Sequence, residues 1–169
     1  VVIGVYRELL ARDPDFRLIV VPRHVERAGD VIRLLRESGF PDVITATQMS
    51  NGQSRRDEKV IVVDVIGELF KTYALATVVY CGGSLVPRGG QNILEAAAWG
   101  KVIFYGSSMD DFSSEAIRIH SARELLEKML QTHADPQDAQ ARGERGRAVV
   151  LANRGAAQRY AEMVIRYIG

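Results

Sequence analysis

The chain has 169 residues, of which 47% are hydrophobic and 25% are charged, and its formal net charge is +1 at pH 7. This length is enough for one domain with a substantial core, and the composition excludes an intrinsically disordered chain. A net charge so close to zero provides no long-range attraction for nucleic acid, so we expect no nucleic-acid partner. The single cysteine, Cys81, excludes an internal disulfide, and we expect it to be buried in a strand.

The chain begins with Val1, in a stretch whose apolar spacing predicts a helix that is already under way. No capping residue precedes this helix. We therefore expect residues 1–169 to be a single domain of a longer protein.

Strands and helices alternate from Val1 to about residue 130. The predicted strands are short apolar runs of the kind found in parallel sheets, and they cover residues 16–21, 43–46, 60–64, 77–81, 102–105 and 117–120. The predicted helices cover residues 1–11, 26–38, 67–75, 122–131 and 135–153, and a last one runs to Ile168. This alternation predicts an α/β fold, a Rossmann-like doubly wound parallel sheet with C-terminal helices.

Two further features are predicted between the first and third strands. In the second helix, Val31, Leu34 and Leu35 are expected to face the core, and Gly39 to end the helix. Residues 48–59 are polar and have no apolar periodicity, which predicts a loop.

Ligands of doubly wound sheets bind beyond the carboxyl ends of the strands. Four loops rich in glycine, proline or charge follow predicted strands, and they cover residues 22–25, 64–69, 82–92 and 106–112. We expect all four to share one rim of the sheet. The sequence contains no Ser-His-Asp or Cys-His arrangement and no metal-ligand spacing, so we expect a binding site without a metal.

The longest of these loops leads into an alanine-rich helix, an order that is typical of phosphate binding because backbone N–H groups and the helix dipole favour an anion. Gly89, Gly90 and Gln91 are expected to offer such N–H groups. Asn92 and Glu95 are three residues apart and are predicted to share one helix face. The carboxylate of Glu95 can accept hydrogen bonds from both hydroxyls of a ribose. A tight turn and a helix cap remain the alternatives for the glycines and for Glu95.

Two other loops supply the remaining candidate residues, which are Pro22, Arg23, His24, Ile66, Gly67, Glu68 and Leu69. Arg23 follows a predicted strand, where an arginine can bind a phosphate or help to turn the chain at the surface. Gly67 would let main-chain groups approach a flat base. Glu68 is open to a second interpretation, as a carboxylate at a helix N-terminus.

Three of these stretches resemble the Kdo transferases, the 3-deoxy-D-manno-octulosonic acid transferases of lipopolysaccharide synthesis. The stretches are Pro22-Arg23-His24 with Glu26-Arg27, Asp64-Val65-Ile66-Gly67-Glu68-Leu69, and residues 82–95, which read GGSLVPRGGQNILE. The resemblance covers nearly the whole chain. It implies one half of a GT-B glycosyltransferase, namely the C-terminal domain that holds the donor CMP-Kdo.

The resemblance also implies a role for each matched residue. Arg23, with Pro22 and His24 beside it, would contact the nucleotide, and the backbone of Ile66, Gly67, Glu68 and Leu69 would read the cytosine. The phosphate would bind at Gly89, Gly90, Gln91 and Asn92, and the ribose at Glu95.

By the same resemblance, the acceptor is a lipid A precursor, and the acceptor groove, the catalytic carboxylate and a membrane anchor belong to an N-terminal half that is absent here. We thus expect the whole protein at the cytoplasmic face of the bacterial inner membrane. We expect this soluble fragment to bind the donor without turnover, with no cofactor and no catalytic residue of its own.

The chain departs from the family pattern at three places. Gln91 stands where a histidine is frequent, Ala96 stands where a proline is common, and residues 112–117 are shorter than usual, which leaves the roles of Ser114 and Glu115 open. Two alternatives also remain. One is the nucleotide-sugar half of another GT-B transferase or of a sugar-nucleotide epimerase, and the other is a non-catalytic α/β binding module.

Overall fold

Parallel β-strands flanked by helices form the architecture of the computed structural model, which describes residues 1–54, 57–86, 92–109 and 115–153. The chain divides into two compact units. The first comprises Val1–Leu75 and His120–Gln131, and the second comprises Ala76–Ile119 and the residues from Thr132 onward. The predicted α/β class is confirmed. A single sheet through the whole chain stays a prediction, because the structure describes each unit by itself.

The sheet of the first unit contains three parallel strands in the order β1-β3-β2. The strands are β1 (Leu18–Val20), β2 (Val43–Thr45) and β3 (Val60–Val62). Leu18 and Val43 pair with the same residue, Val60, so the strands begin in register. These runs are rich in Val and Ile because β-branched side chains pack well on a pleated surface.

The helices of the first unit are α1 (Val2–Arg12), α2 (Ala28–Glu37), α3 (Ala46–Ser50), α4 (Leu69–Leu75) and most of α6 (Ala122–Ala134). Gly39 follows the end of α2 as predicted. Leu35 is buried and Val31 packs against the core, but the prediction for Leu34 is wrong, since its side chain is 55% exposed. Successive helical residues are about 100° apart, so Leu34 points away from the narrow face that includes Leu35.

Tyr6 connects α1 to the core of the first unit. Its side chain is buried, and its ring lies 5.2 Å from that of Phe40, centroid to centroid. The hydroxyl donates a 2.8 Å hydrogen bond to the carbonyl oxygen of Lys59, the residue before β3. Burial raises the pKa of Tyr6 to about 12. Tyr6 therefore acts as a neutral donor that holds α1 against the sheet.

The prediction that residues 48–59 form a loop is wrong at its start, because α3 extends to Ser50. The Thr45 hydroxyl accepts a 3.1 Å hydrogen bond from the Gln48 N–H, and the Gln48 side chain accepts a 2.9 Å bond from the Thr45 N–H. This capping box stabilises a helix that lacks apolar periodicity, which is why periodicity did not reveal it.

The sheet of the second unit contains β4 (Val78–Tyr80), β5 (Val102–Gly106) and β6 (Ile117–Ile119), in that order and parallel. All five residues of β5, the middle strand, are buried. The helices of this unit include α5 (Leu94–Ala98) and α7 (Pro136–Ala152). None of the helices in the described part of the chain is long and apolar enough to cross a membrane.

The packing of α7 beside α5 depends on Gly143. A Cβ atom built on Gly143 would overlap the carbonyl oxygen of Gly100, which lies in the turn after α5. The helix begins as the Asp-Pro sequence predicted, since the Asp135 side chain accepts a 3.0 Å hydrogen bond from the Asp138 N–H. The last predicted helix, to Ile168, lies outside the described residues.

Replacing Gly143 with Ala should destabilise the chain, because the new methyl group must displace the backbone at Gly100. We expect the free energy of unfolding, measured by urea denaturation, to fall by about 1–3 kcal/mol.

The matched control is Gly146→Ala in the same helix, where a Cβ would meet the Glu115 Cβ at an ordinary 3.7 Å. Better helix propensity should leave this variant unchanged or up to about 1 kcal/mol more stable. Equal effects of the two substitutions would contradict the packing of α7 described above.

Candidate functional site

The predicted site residues of the first unit lie at one edge of its sheet. β1 and β3 are parallel neighbours, so the loops that follow them leave the sheet at the same end. The residues after β1 are Pro22, which is partly buried, and Arg23 and His24, which are exposed. Of those after β3, Ile66 and Gly67 are exposed, whereas Glu68 and Leu69 are partly buried.

The loop after β3 presents both backbone and an apolar side chain. Gly67 has a φ angle of +88°, in the left-handed region that strains other residues. A Cβ atom built on Gly67 would meet no other atom within 4 Å, so the space beside this residue is open. The preceding side chain, Ile66, is 86% exposed. Exposed apolar surface beside uncovered backbone suits a flat ligand such as a base.

Glu68 also has a structural role, in line with its second interpretation. Its carboxylate lies 3.0 Å from the Lys71 ammonium group, and its carbonyl oxygen accepts a 2.9 Å hydrogen bond from the Thr72 N–H. Both contacts belong to the start of α4. The Glu68 side chain therefore supports this helix, and its backbone remains the part that the base-binding prediction concerns.

Asp64 fixes the point at which this loop leaves the sheet. Its carboxylate accepts a 2.9 Å hydrogen bond from the Thr47 N–H. Burial raises the pKa of Asp64, but hydrogen bonds from the Thr47 N–H and from the hydroxyls of Thr45 and Thr47 outweigh it, so the pKa lies below its usual value. Sequence reasoning treated Asp64 as a strand end and missed this role, because Thr45 and Thr47 are remote from Asp64 in the sequence.

A cavity of about 290 Å³ lies along β2 in the first unit. Its polar lining includes Arg36, Asp42, Gln53 and Glu58, and the Glu58 carboxylate accepts a 3.0 Å hydrogen bond from the Ser54 hydroxyl. The cavity contains none of the predicted site residues. The chemistry of the strand-end loops, rather than cavity size, therefore selects the candidate site.

The loop after β4 in the second unit is described only in part. Gly89, Gly90 and Gln91 lie outside the described residues, so their predicted N–H groups for a phosphate stay predictions. Because β4 and β5 are parallel neighbours, the loops that follow them leave this sheet at the same end.

The prediction that Asn92 and Glu95 share a helix face is wrong, because α5 begins after Asn92, at Leu94. The Asn92 carboxamide oxygen accepts a 3.0 Å hydrogen bond from the Leu94 N–H, a local turn that competes with helical pairing. α5 has five residues, so its dipole is smaller than that of the longer helix predicted. Glu95 lies in its first turn and is exposed.

Ser84 joins the loop after β4 to the end of β5. Its side chain is fully buried, and its hydroxyl donates a 2.5 Å hydrogen bond to the Cys81 carbonyl oxygen. The same hydroxyl accepts a 2.7 Å hydrogen bond from the Gly106 N–H. Cys81 is buried, as predicted. Sequence reasoning did not single out Ser84, and a serine directly after a glycine pair at a strand end was the available signal.

The chain is similar to known proteins in sequence and in structure. No protein-family model matches the sequence. The chain is 29% identical over 178 residues to the 3-deoxy-D-manno-octulosonic acid transferase of Haemophilus influenzae, a match that covers 99% of this chain and 41% of that protein. It is 30% identical over 140 residues to a probable mitochondrial enzyme of the same name from Arabidopsis thaliana, covering 82% of this chain and 31% of that protein.

A solved structure gives the same answer. The crystal structure of the C-terminal CMP-Kdo binding domain of WaaA from Acinetobacter baumannii matches with a TM-score of 0.75 and 27% identity, covering 88% of this chain and 80% of that one. The chain is a relative of the Kdo transferases. The resemblance drawn from its motifs and the fold class, one half of a GT-B fold, are thereby confirmed. The chain spans 41% of the length of the Haemophilus influenzae enzyme.

One departure from the Kdo transferase pattern has a structural explanation. Ala96, where a proline is common, is fully buried on the inner side of α5, whereas its neighbour Glu95 is exposed. The substitution therefore changes packing rather than the exposed face of the helix. Gln91 and Ser114 lie outside the described residues.

Glu115, whose role the Kdo transferase pattern left open, supports α7. Its carboxylate lies 2.9 Å from the Arg145 Nε atom, and its carbonyl oxygen accepts a 3.5 Å hydrogen bond from Arg142. Arg145 is half exposed, and both arginines hold the segment before β6. Within the described ranges, no three His, Cys, Asp or Glu residues could together hold a metal ion.

Replacing Asp64 with Asn should remove a pH-dependent part of the stability. The pKa in the folded state lies below the unfolded value of about 3.9, so the charged carboxylate stabilises the fold above that pH. This stabilisation is lost as the pH falls through the folded-state pKa. We expect Asp64→Asn to lower the free energy of unfolding at pH 7, and the difference from the wild type to shrink as the pH is lowered below about 3.9.

Urea denaturation at several pH values measures this difference. Asp30→Asn is the control, because Asp30 pairs with Arg33 at an exposed site and should contribute little at any pH. A loss of stability in Asp64→Asn that is the same at pH 7 and pH 3 would show that the charge of Asp64 does not hold this strand end.

Proposed function

We propose that this chain is the donor-binding domain of a Kdo transferase and binds CMP-Kdo for transfer of Kdo to a lipid A precursor. The observation that carries the proposal is the structural likeness to a CMP-Kdo binding domain, at 27% identity and a TM-score of 0.75. The names of the curated relatives support the same activity. The location of the whole protein at the inner membrane is part of the proposal and rests on the family resemblance.

In the first unit, the nucleotide contacts are assigned to the two strand-end loops. Arg23, between Pro22 and His24, is exposed at the end of β1, where its guanidinium fork suits a phosphate or carboxylate oxygen. The backbone of residues 66–69 is assigned to the cytosine. Open space around Gly67 and the exposed side chain of Ile66 support this assignment.

In the second unit, Glu95 is assigned to the ribose, and its exposure in the first turn of α5 supports this role. The phosphate is assigned to Gly89, Gly90, Gln91 and Asn92. Because the Asn92 carboxamide oxygen already accepts a hydrogen bond from the Leu94 N–H, its NH₂ group is the part that can donate to a phosphate.

The proposed contribution of this chain to the reaction is positioning and electrostatic stabilisation. An acceptor hydroxyl attacks the anomeric carbon of Kdo and gives its proton to the catalytic carboxylate assigned to the N-terminal half, while CMP leaves with the electron pair of the broken bond. Hydrogen-bond donors and Arg23 can stabilise the negative charge that develops on the departing phosphate. We assign no catalytic residue, metal or cofactor to this chain, and the acceptor groove to the rest of the protein.

Calorimetric titration of the chain with nucleotides tests the proposal. We expect CMP to bind more tightly than UDP or GDP. Glu95→Ala should weaken CMP binding about 10- to 100-fold, since hydrogen bonds to a charged group contribute about 1.5–3 kcal/mol. Glu127→Ala, which removes an exposed helical glutamate paired with Arg123, should bind CMP like the wild type.

A second ligand makes this test specific to the ribose. The wild type should lose affinity when 2′-deoxy-CMP replaces CMP, whereas Glu95→Ala should bind the two nucleotides equally. Preference of the wild type for UDP would contradict the cytidine assignment and favour another GT-B enzyme or an epimerase. Failure of the wild type to bind any nucleotide would favour a non-catalytic module.

A further inference from the structure

We infer that Ser84 and Gly106 form a clasp that fixes residues 82–86, the start of the loop after β4, and that this clasp contributes to donor binding. The inference rests on the proposed function, because it assigns to Ser84 an indirect part in donor binding. Ser84 is fully buried, so it is a positioning residue and touches no ligand.

Three hydrogen bonds define the clasp. The Ser84 hydroxyl donates to the Cys81 carbonyl oxygen at 2.5 Å and accepts from the Gly106 N–H at 2.7 Å. The Ser84 carbonyl oxygen accepts from the Ser108 N–H at 2.8 Å. One residue therefore uses both its side chain and its backbone to bind the strand end of β4 to the strand end of β5.

The other side of the clasp requires a glycine. A Cβ atom built on Gly106 would overlap the backbone of Ser84 and the nitrogen of Leu85. The two segments thus meet backbone against backbone at this point. Alanine at position 84 would leave the buried Gly106 N–H without its acceptor. Threonine would add a methyl group to a side chain that is already fully buried.

The position of the clasp connects it to binding. Ser84 lies in residues 82–86, the described start of the loop after β4, so the clasp holds this segment where it leaves the sheet. A loop anchored before the ligand arrives loses less conformational freedom on binding than one that must be ordered by the ligand. Loss of the clasp should therefore appear as weaker donor binding.

The test compares Ser84→Ala with a variant destabilised in the first unit. Tyr6→Phe removes the hydroxyl that donates a hydrogen bond to the Lys59 carbonyl oxygen, and it should lower the melting temperature without changing the affinity for CMP. Ser84→Ala should weaken CMP binding about tenfold at a temperature where both variants are folded, a change of about 1.4 kcal/mol. Ser108→Ala retains its backbone N–H and should bind CMP within about twofold of the wild type, a difference of about 0.4 kcal/mol.

Ser84→Cys provides a milder variant in case the alanine variant does not fold, because a thiol is a weak donor and acceptor of similar shape. It should weaken CMP binding about threefold, or about 0.7 kcal/mol. Hydrogen exchange of the Gly106 amide without ligand should accelerate in both variants at position 84.

The outcomes separate this inference from the proposed function. If the wild type binds CMP and the variants at position 84 bind it equally well, with a lowered melting temperature alone, the clasp is structural and the inference is overturned while the proposed function stands. If the wild type itself binds no CMP, the proposed function is overturned and the inference fails with it.

Discussion

Hydrogen bonds at the carboxyl ends of parallel strands are the constraint on which both sets of candidate loops depend. The sheet ladder stops at these ends, and the backbone groups beyond it need other partners. In the first unit the Asp64 carboxylate accepts a 2.9 Å hydrogen bond from the Thr47 N–H. In the second unit the Ser84 hydroxyl accepts a 2.7 Å hydrogen bond from the Gly106 N–H. In each case a side chain just after one strand accepts a hydrogen bond from the backbone at the end of the neighbouring strand or just beyond it, and the candidate loop starts from that point.

Burial separates the residues that position the loops from those assigned to the ligand. Ser84 is fully buried and Asp64 is partly buried, and both use their polar atoms within the fold. Arg23, Ile66 and Glu95 are exposed, which a ligand contact requires. The proposed function assigns each of these exposed residues to a contact with a sugar nucleotide. The hydrogen bonds of Ser84 and Asp64 explain how short strands can hold the loops that carry these exposed residues.

The sequence predicted the strands well, because each is a short apolar run between polar turns, and β5 matches its predicted start at Val102. The errors share a physical cause. α3 and the start of α5 are determined by hydrogen bonds that the side chains of Thr45, Gln48 and Asn92 accept from nearby backbone N–H groups, and hydrophobic periodicity does not register these bonds. Ser84 and Asp64 were missed because their partners are remote in sequence and become neighbours through strand pairing. The proposed ligand, CMP-Kdo, was predicted from the family motif rather than from local chemistry.

The most direct measurement of the central claim is a titration of the isotope-labelled chain with CMP, followed by the backbone amide resonances. The account predicts that the amides of residues 66–69 and those of residues 92–95 shift when CMP is added. Shifts confined to the cavity along β2, at Asp42, Val43 and Glu58, would contradict it. The absence of any shift at millimolar CMP would contradict donor binding altogether.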